Sequence, residues 1–289
     1  MSPRELELDL PHLTLAARAW GEPGGTRVLA LHGWLDNAAS FDALAPLLDG
    51  VELVALDLPG HGRSQHRPAG NWYHYVDYLD DVLAAADALG WSRCTLLGHS
   101  LGGAIASALA AVVPDRIDAL WLVEALGPVA TPVEKTRDQI ARAVAQRRAL
   151  ADKSLRVFDS IDAAVEARVN SPVAPVSREA ARRIVERGIR AHAGGYVWAS
   201  DPRLTLASAM RSSEAQVLDV LAGIACPTLV VLADPPAPYV AREMIERRTA
   251  VVPRLERVTL PGSHHLHLED PVPVARAIAA FRKKGDAPH

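Results

Sequence analysis

Ser100 stands in Gly98-His99-Ser100-Leu101-Gly102, a Gly-x-Ser-x-Gly pentapeptide that follows the apolar run Thr95-Leu96-Leu97 and leads into Ala104-Ile105-Ala106-Ser107-Ala108-Leu109. An apolar run, then glycines, then small residues at helical spacing read as strand, tight turn and helix. On such a turn the residues two before and two after the serine come close to touching, so neither can carry a bulky Cβ; Gly98 and Gly102 meet that condition. The turn lifts the hydroxyl clear of the sheet. The helix beyond it points unpaired backbone N–H groups at whatever the hydroxyl attacks, which favours developing negative charge. The chemistry indicated is nucleophilic attack on a carbonyl. The same pentapeptide also describes a glycine-rich turn whose serine merely caps a helix, so the remaining parts of a catalytic site must be sought elsewhere in the chain.

A serine nucleophile needs a base within hydrogen-bond reach, a carboxylate to orient that base, and donors for the oxyanion. Leu260-Pro261-Gly262-Ser263-His264-His265-Leu266-His267 follows the last apolar run and offers three imidazoles on a turn. Two carboxylates close apolar runs: Glu124 after Ile117 to Val123, and Asp234 after Thr228 to Leu232. A glutamate at the end of a buried strand is costly without a partner, and an imidazole is a suitable one.

The elements that must position these groups alternate along the chain. Glu5 to Leu10 and Leu13 to Trp20 read as an antiparallel hairpin with Pro11-His12 at its turn. Val28 to Leu31, Val51 to Leu56, Trp91 to Leu97, Ile117 to Val123, Thr228 to Leu232 and Leu255 to Leu260 are further strands, apolar enough to be covered on both faces. Helical spacing recurs over Phe41 to Leu48, Tyr75 to Leu89, Tyr239 to Arg248 and Pro273 to Lys284. This alternation predicts a mostly parallel eight-stranded sheet with helices on both faces and a site beyond the carboxyl ends of the strands.

Between Gly127 and Ser213 the rhythm breaks. A capping box at Thr131-Pro132-Val133-Glu134 and helical patterns near Ser160 to Val169 and Ser177 to Ala193 predict an all-helical insertion without strands, best read as a lid. The domains expected are a core of 1–126 and 214–289 and a lid (cap) domain of 127–213. The lid holds 15 Lys and Arg against 9 Asp and Glu, a charge of +6 that leaves −9 on the remainder of a chain of net charge −3. Those arginines either line solvated helix faces or select anionic substrates.

An apolar fraction of 49% with 22% charged residues is that of a globular protein, and the acidic balance argues against nucleic acid as the main partner. No apolar run is long enough to span a membrane, and Arg4, Glu5, Glu7 and Asp9 replace the apolar segment of a signal peptide, so the cytoplasm is the expected location. Cys94 and Cys226, each at the start of an apolar run, read as small buried residues, not as a disulfide or a metal site.

With these parts in order, the chain resembles the α/β-hydrolase fold family, and within it the serine-hydrolase-like group. The resemblance rests on His32-Gly33-Trp34-Leu35-Asp36-Asn37, Asp57-Leu58-Pro59-Gly60-His61-Gly62-Arg63-Ser64, the serine turn and the histidine loop. It implies an oxyanion hole from the N–H groups of Trp34 and Leu101, and a structural role for the loop from Asp57 to Ser64. The family's His-x-x-x-x-Glu-x-Pro ending, met here by Glu269 and Pro271, selects His264 as the base, with His265 the runner-up and His267 facing elsewhere. The family's commonest acid position falls on proline within Ala233-Asp234-Pro235-Pro236, whereas Glu124 occupies the alternative position seen in some haloalkane dehalogenases, whose aspartate nucleophile Ser100 replaces.

The expectation is therefore a Ser100-His264-Glu124 triad, with Asp234 as the competing acid, acting on a small to medium carboxylic ester through an acyl-enzyme. No cofactor or metal is implied, and the oligomeric state is not legible. Cleavage of a carbon–carbon bond or a lactone by the same residues, or ligand binding without catalysis, are the rival readings.

Overall fold

Side chains on a strand alternate between faces, and here both faces are apolar. Leu29, Leu31, Leu96, Leu120, Leu122 and Val230 bury into one layer, while Val28, Ala30, Leu97, Trp121, Val123, Leu229 and Val231 bury into the other. A computed structural model describes residues 2–150, 156–171, 175–236 and 241–285. The strands are β1 (Arg4–Asp9), β2 (Thr14–Trp20), β3 (Thr26–Leu31), β4 (Val51–Leu56), β5 (Cys94–His99), β6 (Ile117–Val123), β7 (Ile189–His192), β8 (Gly195–Trp198), β9 (Thr228–Asp234) and β10 (Leu255–Pro261). Eight of them form one sheet in the order β1-β2-β4-β3-β5-β6-β9-β10. The β1–β2 and β2–β4 pairs are antiparallel and the rest are parallel.

The helices of the core are α1 (Asp77–Ala88), α2 (Leu101–Val112), α6 (Glu214–Ala222), α7 (Arg242–Ala250), α8 (Leu266–Glu269) and α9 (Pro271–Gly285); α3 (Thr136–Ala149), α4 (Ile161–Val169) and α5 (Arg178–Gly188) lie in the insertion. Residues of α1, α2 and α6 cover one face of the sheet, and residues of α9 cover the other together with Phe41 and Leu44. Parallel strands joined this way end at one edge, so the turns after β3, β4, β5, β6, β9 and β10 are collected there.

Several local expectations are corrected. The stretch from Phe41 to Leu48 forms two 3-10 turns, Ala38–Phe41 and Ala45–Leu47. Pro46 has no N–H for a continuous helix, and its ring would clash with the preceding turn. The insertion is not all helical: β7 and β8 make a hairpin, His192 paired with Gly195, around Ala193-Gly194. The signal was present in the glycine pair flanked by Ile189, Val197 and the aromatic Tyr196 and Trp198, and α5 stops at Gly188 instead of running to Ala193. The capping box at Thr131 does not form; Val133–Lys135 is a 3-10 turn without a side-chain cap, and α3 begins at Thr136. Of the helix expected over Tyr239 to Arg248, Tyr239 and Val240 lie outside the described residues.

The insertion has an apolar centre of its own, built from Phe158, Val165, Ala181, Ile184 and Val185, to which Leu268 of the core contributes. Its firmest tie is electrostatic. Arg187, fully buried on α5, donates from Nε to both carboxylate oxygens of Asp57 at 2.9 and 3.0 Å, and from Nη1 to Glu5 at 2.6 and 2.8 Å. Asp57 also accepts from the backbone N–H of Ala38 and of Arg63, which closes the loop after β4 as a structural unit. Removing one partner of such a pair strands the other charge. Arg187→Met is expected to lower the unfolding free energy by about 3–5 kcal/mol, read from urea titrations of parent and variant.

Candidate active site

Among the described residues the non-glycine positions with positive φ are Leu35 (61°), Ser100 (50°) and Glu124 (55°). Each stands just past the end of a neighbouring strand, β3, β5 or β6. Such conformations cost of order 1–3 kcal/mol apiece and persist where the surroundings over-determine them, a pattern concentrated at functional sites.

Ser100 is held by packing on both flanks. A Cβ at Gly98 would lie 2.6 Å from Gly102 O, and one at Gly102 would lie 2.0 Å from Leu31 O. The Ser100 N–H donates to Val123 O at 3.1 Å and the Gly102 N–H to His32 O at 3.0 Å, so the turn is fixed to the ends of β6 and β3. Ser100 occupies the position before α2 without a capping bond from its hydroxyl, which sets aside the reading of it as a helix cap.

Glu124 turns back at the end of β6. Its N–H donates to Val231 O at 2.9 Å, its Oε1 accepts from the Ala233 N–H at 2.5 Å, and its Oε2 lies 3.2 Å from His264 Nδ1. The left-handed backbone at Glu124 lets the carboxylate cross the end of β9 to the histidine loop. Asp234 is exposed, and of its groups it is the main-chain oxygen that reaches this loop, accepting from the Gly262 N–H at 3.2 Å. Of the two carboxylates weighed from the sequence, the fold brings Glu124 to His264. Two arginines of the insertion meet other carboxylates: the partly buried Arg168 pairs with Asp36 and the buried Arg187 with Asp57.

The three histidines of the loop separate by partner. His264 meets Glu124; His265 Nε2 donates to Asp36 Oδ2 at 2.9 Å; His267 Nε2 pairs with Ser40 Oγ at 2.8 Å. Leu101 is the first residue of α2, so its N–H has no acceptor within the helix. The Trp34 indole is partly exposed and donates to Leu204 O in the insertion at 2.8 Å.

A family model described as the alpha/beta hydrolase fold matches residues 26–271. The chain belongs to the α/β-hydrolase fold family. This hydrolase is 31% identical to a serine hydrolase-like protein of Dictyostelium discoideum over 93% of its own length and 78% of that protein's. It is 30% identical to a serine hydrolase-like protein of Danio rerio, over 96% and 87% of the two. Among solved structures it is similar to a hypothetical protein of Pseudomonas aeruginosa PAO1, with 43% identity, a TM-score of 0.91, and 96% and 99% of the two chains covered. The thioesterase domain from the curacin biosynthetic pathway superposes with a TM-score of 0.81 at 26% identity, over 96% of this chain and all of that one. No helix among the described residues is long and apolar enough to cross a membrane.

Around the histidine loop this hydrolase carries a polar cluster that sequence reasoning did not assign. Asp36, His99 and His265 each place a donor atom within 4.8 Å of the others, an arrangement that attracts a cation. The Arg168 guanidinium of α4 fills that role, with Nη2 3.1 Å from Asp36 Oδ1 and 3.3 Å from His265 Nε2. Burial alone would raise the Asp36 carboxyl, but His265 and the Arg168 guanidinium overcome it and hold it well below the usual carboxylate range. Asp36 was visible as part of a motif, and Arg168 only as one basic residue among many.

Burial pushes His32 down to about 4, and His61 and His267 to about 3. These imidazoles stay neutral in the folded protein at pH values where the unfolded chain binds protons on them. Their folded values lie below the unfolded value near 6.5, so the contribution is complete above pH 7 and is lost as pH falls through 6.5 towards 4. Each adds a slope of about 1.4 kcal/mol per pH unit in that window. Urea midpoints measured from pH 8 to pH 4.5 are expected to be flat above pH 7 and to drop steeply below 6.5.

Proposed function

We propose that this chain is a serine hydrolase that cleaves small to medium carboxylic esters through an acyl-enzyme. The observation that carries the reading is the His264 Nδ1 to Glu124 Oε2 contact of 3.2 Å, made beside a serine held at φ 50° between two strand ends. Ser100 Oγ attacks the carbonyl carbon, its proton passes to His264 Nε2, and the oxygen that gains the electron pair is received by the N–H groups of Trp34 and Leu101. Collapse of the tetrahedral species breaks the bond to the alcohol, which leaves with the proton from His264. Water then repeats the sequence on the acyl-enzyme and frees the acid. Glu124 holds the imidazole in the tautomer with hydrogen on Nδ1 and stabilises the imidazolium that forms. The segment 127–213 acts as a cap, closing over the strand ends on which these groups stand.

The likeness to a thioesterase domain extends the candidate acyl donors to thioesters, which the same attack would open. The reading is tested by labelling with a fluorophosphonate probe, which is expected to modify Ser100 in the parent and to leave Ser100→Ala unmodified. Ser100→Ala is expected to retain less than about one thousandth of the parent kcat/KM with an unchanged urea midpoint. Retained activity, or labelling elsewhere, would overturn the covalent route, and the absence of any labelling in the parent would favour a binding protein.

The acid is tested separately. Glu124→Gln keeps the size but not the charge and is expected to lower kcat by about two to four orders of magnitude with KM little changed. Asp234→Asn, at an exposed carboxylate, is expected to leave kcat within about twofold of the parent. The reverse ranking in initial-rate kinetics would return the role to Asp234.

A further inference from the structure

His99 is the residue immediately before Ser100, and its ring is turned inward, with a side chain only 1% exposed. Its Nε2 lies 2.8 Å from the main-chain oxygen of His264. A carbonyl can only accept, so Nε2 carries the hydrogen and Nδ1 is bare. Burial, with the neighbouring His267, His265 and His264, pushes His99 well below the ordinary histidine range and keeps it neutral. Its Nδ1 has no hydrogen-bond partner and faces Gly33, where a Cβ would stand 2.8 Å away. The rings of His265 and His267 pack on it with centroids at 4.9 and 4.2 Å, and the Asp36 carboxylate, tied to His265 and to Arg168 of the insertion, closes the remaining side.

We propose that His99 is a positioning residue of this site: its Nε2–H clamps the His264 carbonyl and thereby sets the His264 ring between Glu124 and Ser100. The inference rests on the reading of Ser100, His264 and Glu124 given above. The residue preceding the nucleophile and the residue bearing the base lie 165 positions apart in sequence, and this bond ties them directly. The loop that carries the base is also held by the Gly262 N–H on Asp234 O, by the Leu266 N–H on Ser263 O at 3.0 Å, by the N–H groups of Leu268 and Glu269 on His265 O, and by the side-chain bonds of His265 and His267; the His99 bond lands on the main chain of His264 itself. Without the donor, the partly buried carbonyl loses this bond, which favours rotation of its peptide outward. Rotation of that peptide carries the imidazole with it, and a misplacement of about 1 Å is enough to cost about 100-fold in rate.

The test compares His99→Gln, whose amide N–H reaches the same carbonyl, with His99→Leu, which keeps bulk and removes the donor. His99→Asn, whose amide stops short, carries the same comparison should the leucine variant not fold. Two readouts are taken: steady-state ester hydrolysis, and the downfield proton resonance of the His264 Nδ1–H bonded to Glu124, identified by its loss in Glu124→Gln. The expected result is a kcat about 100-fold lower in His99→Leu with KM little changed, recovery to within about tenfold of the parent in His99→Gln, and a downfield resonance present in parent and His99→Gln but lost in His99→Leu. A resonance unchanged in His99→Leu overturns the clamp, as does an equal loss in the glutamine variant, which would mark packing and not the donor as the cause. A parent that neither turns over esters nor labels at Ser100 refutes the functional reading alone, because the resonance still decides whether His99 sets His264.

Discussion

The first turn of α2 and the end of β3 share a space with no room for a side chain at Gly102, where a Cβ would meet Leu31 O at 2.0 Å. That close approach is the constraint on which the site depends. It lets the Gly102 N–H reach His32 O, and it makes the turn at Ser100 and the loop after β3 one rigid unit. The Ser100 N–H extends the unit to the end of β6, where Glu124 turns into its own left-handed conformation. His264 then meets a carboxylate and a serine turn whose positions are already set by backbone. The enthalpy of these few bonds is modest. What they remove is freedom at the strand ends, where a misplacement of about 1 Å can cost about 100-fold in the rate of a reaction.

Charge plays a different part. Arg187 and Asp57 are both fully buried, and Arg168 reaches an equally buried Asp36. Moving such ions out of water costs several kcal/mol each, and their mutual attraction does little more than offset that. What they do is join insertion to core: α4 through Arg168 on Asp36 and α5 through Arg187 on Asp57. Both aspartates follow strands that end at the site, Asp36 after β3 and Asp57 after β4. The seat of the insertion and the loops around Ser100 are therefore parts of one electrostatic arrangement, and the neutral histidines packed among them add polar atoms without adding charge.

Much of this was legible in the chain. The apolar runs gave the core strands within a few residues, since strands covered on both faces leave no choice of register between water and core. The serine turn was legible because glycine at 98 and 102 answers a steric demand that few other contexts make. Where local rules competed, they failed. Pro46 broke the expected helix into 3-10 turns, and Gly194-Gly195 turned the expected end of a helix into a hairpin. Thr131 could cap a helix only if the chain ran into one there, and α3 starts later.

The sequence by itself determined the parallel sheet, the serine turn, the loop that carries the imidazoles and the place where an insertion leaves the sheet, because each follows from periodicity or from the steric limits of neighbouring residues. The family resemblance favours His264 and Glu124, and only the tertiary structure shows the contact between them. The three histidines are alike in type and close in position, and what distinguishes them is the partner each meets across 100 residues or more of chain: Glu124 for His264, Asp36 for His265, Ser40 for His267. The same holds for His99, Asp36 and Arg168. A buried polar group is defined by what satisfies it, and that is a property of strand order and chain reversal that no local pattern records.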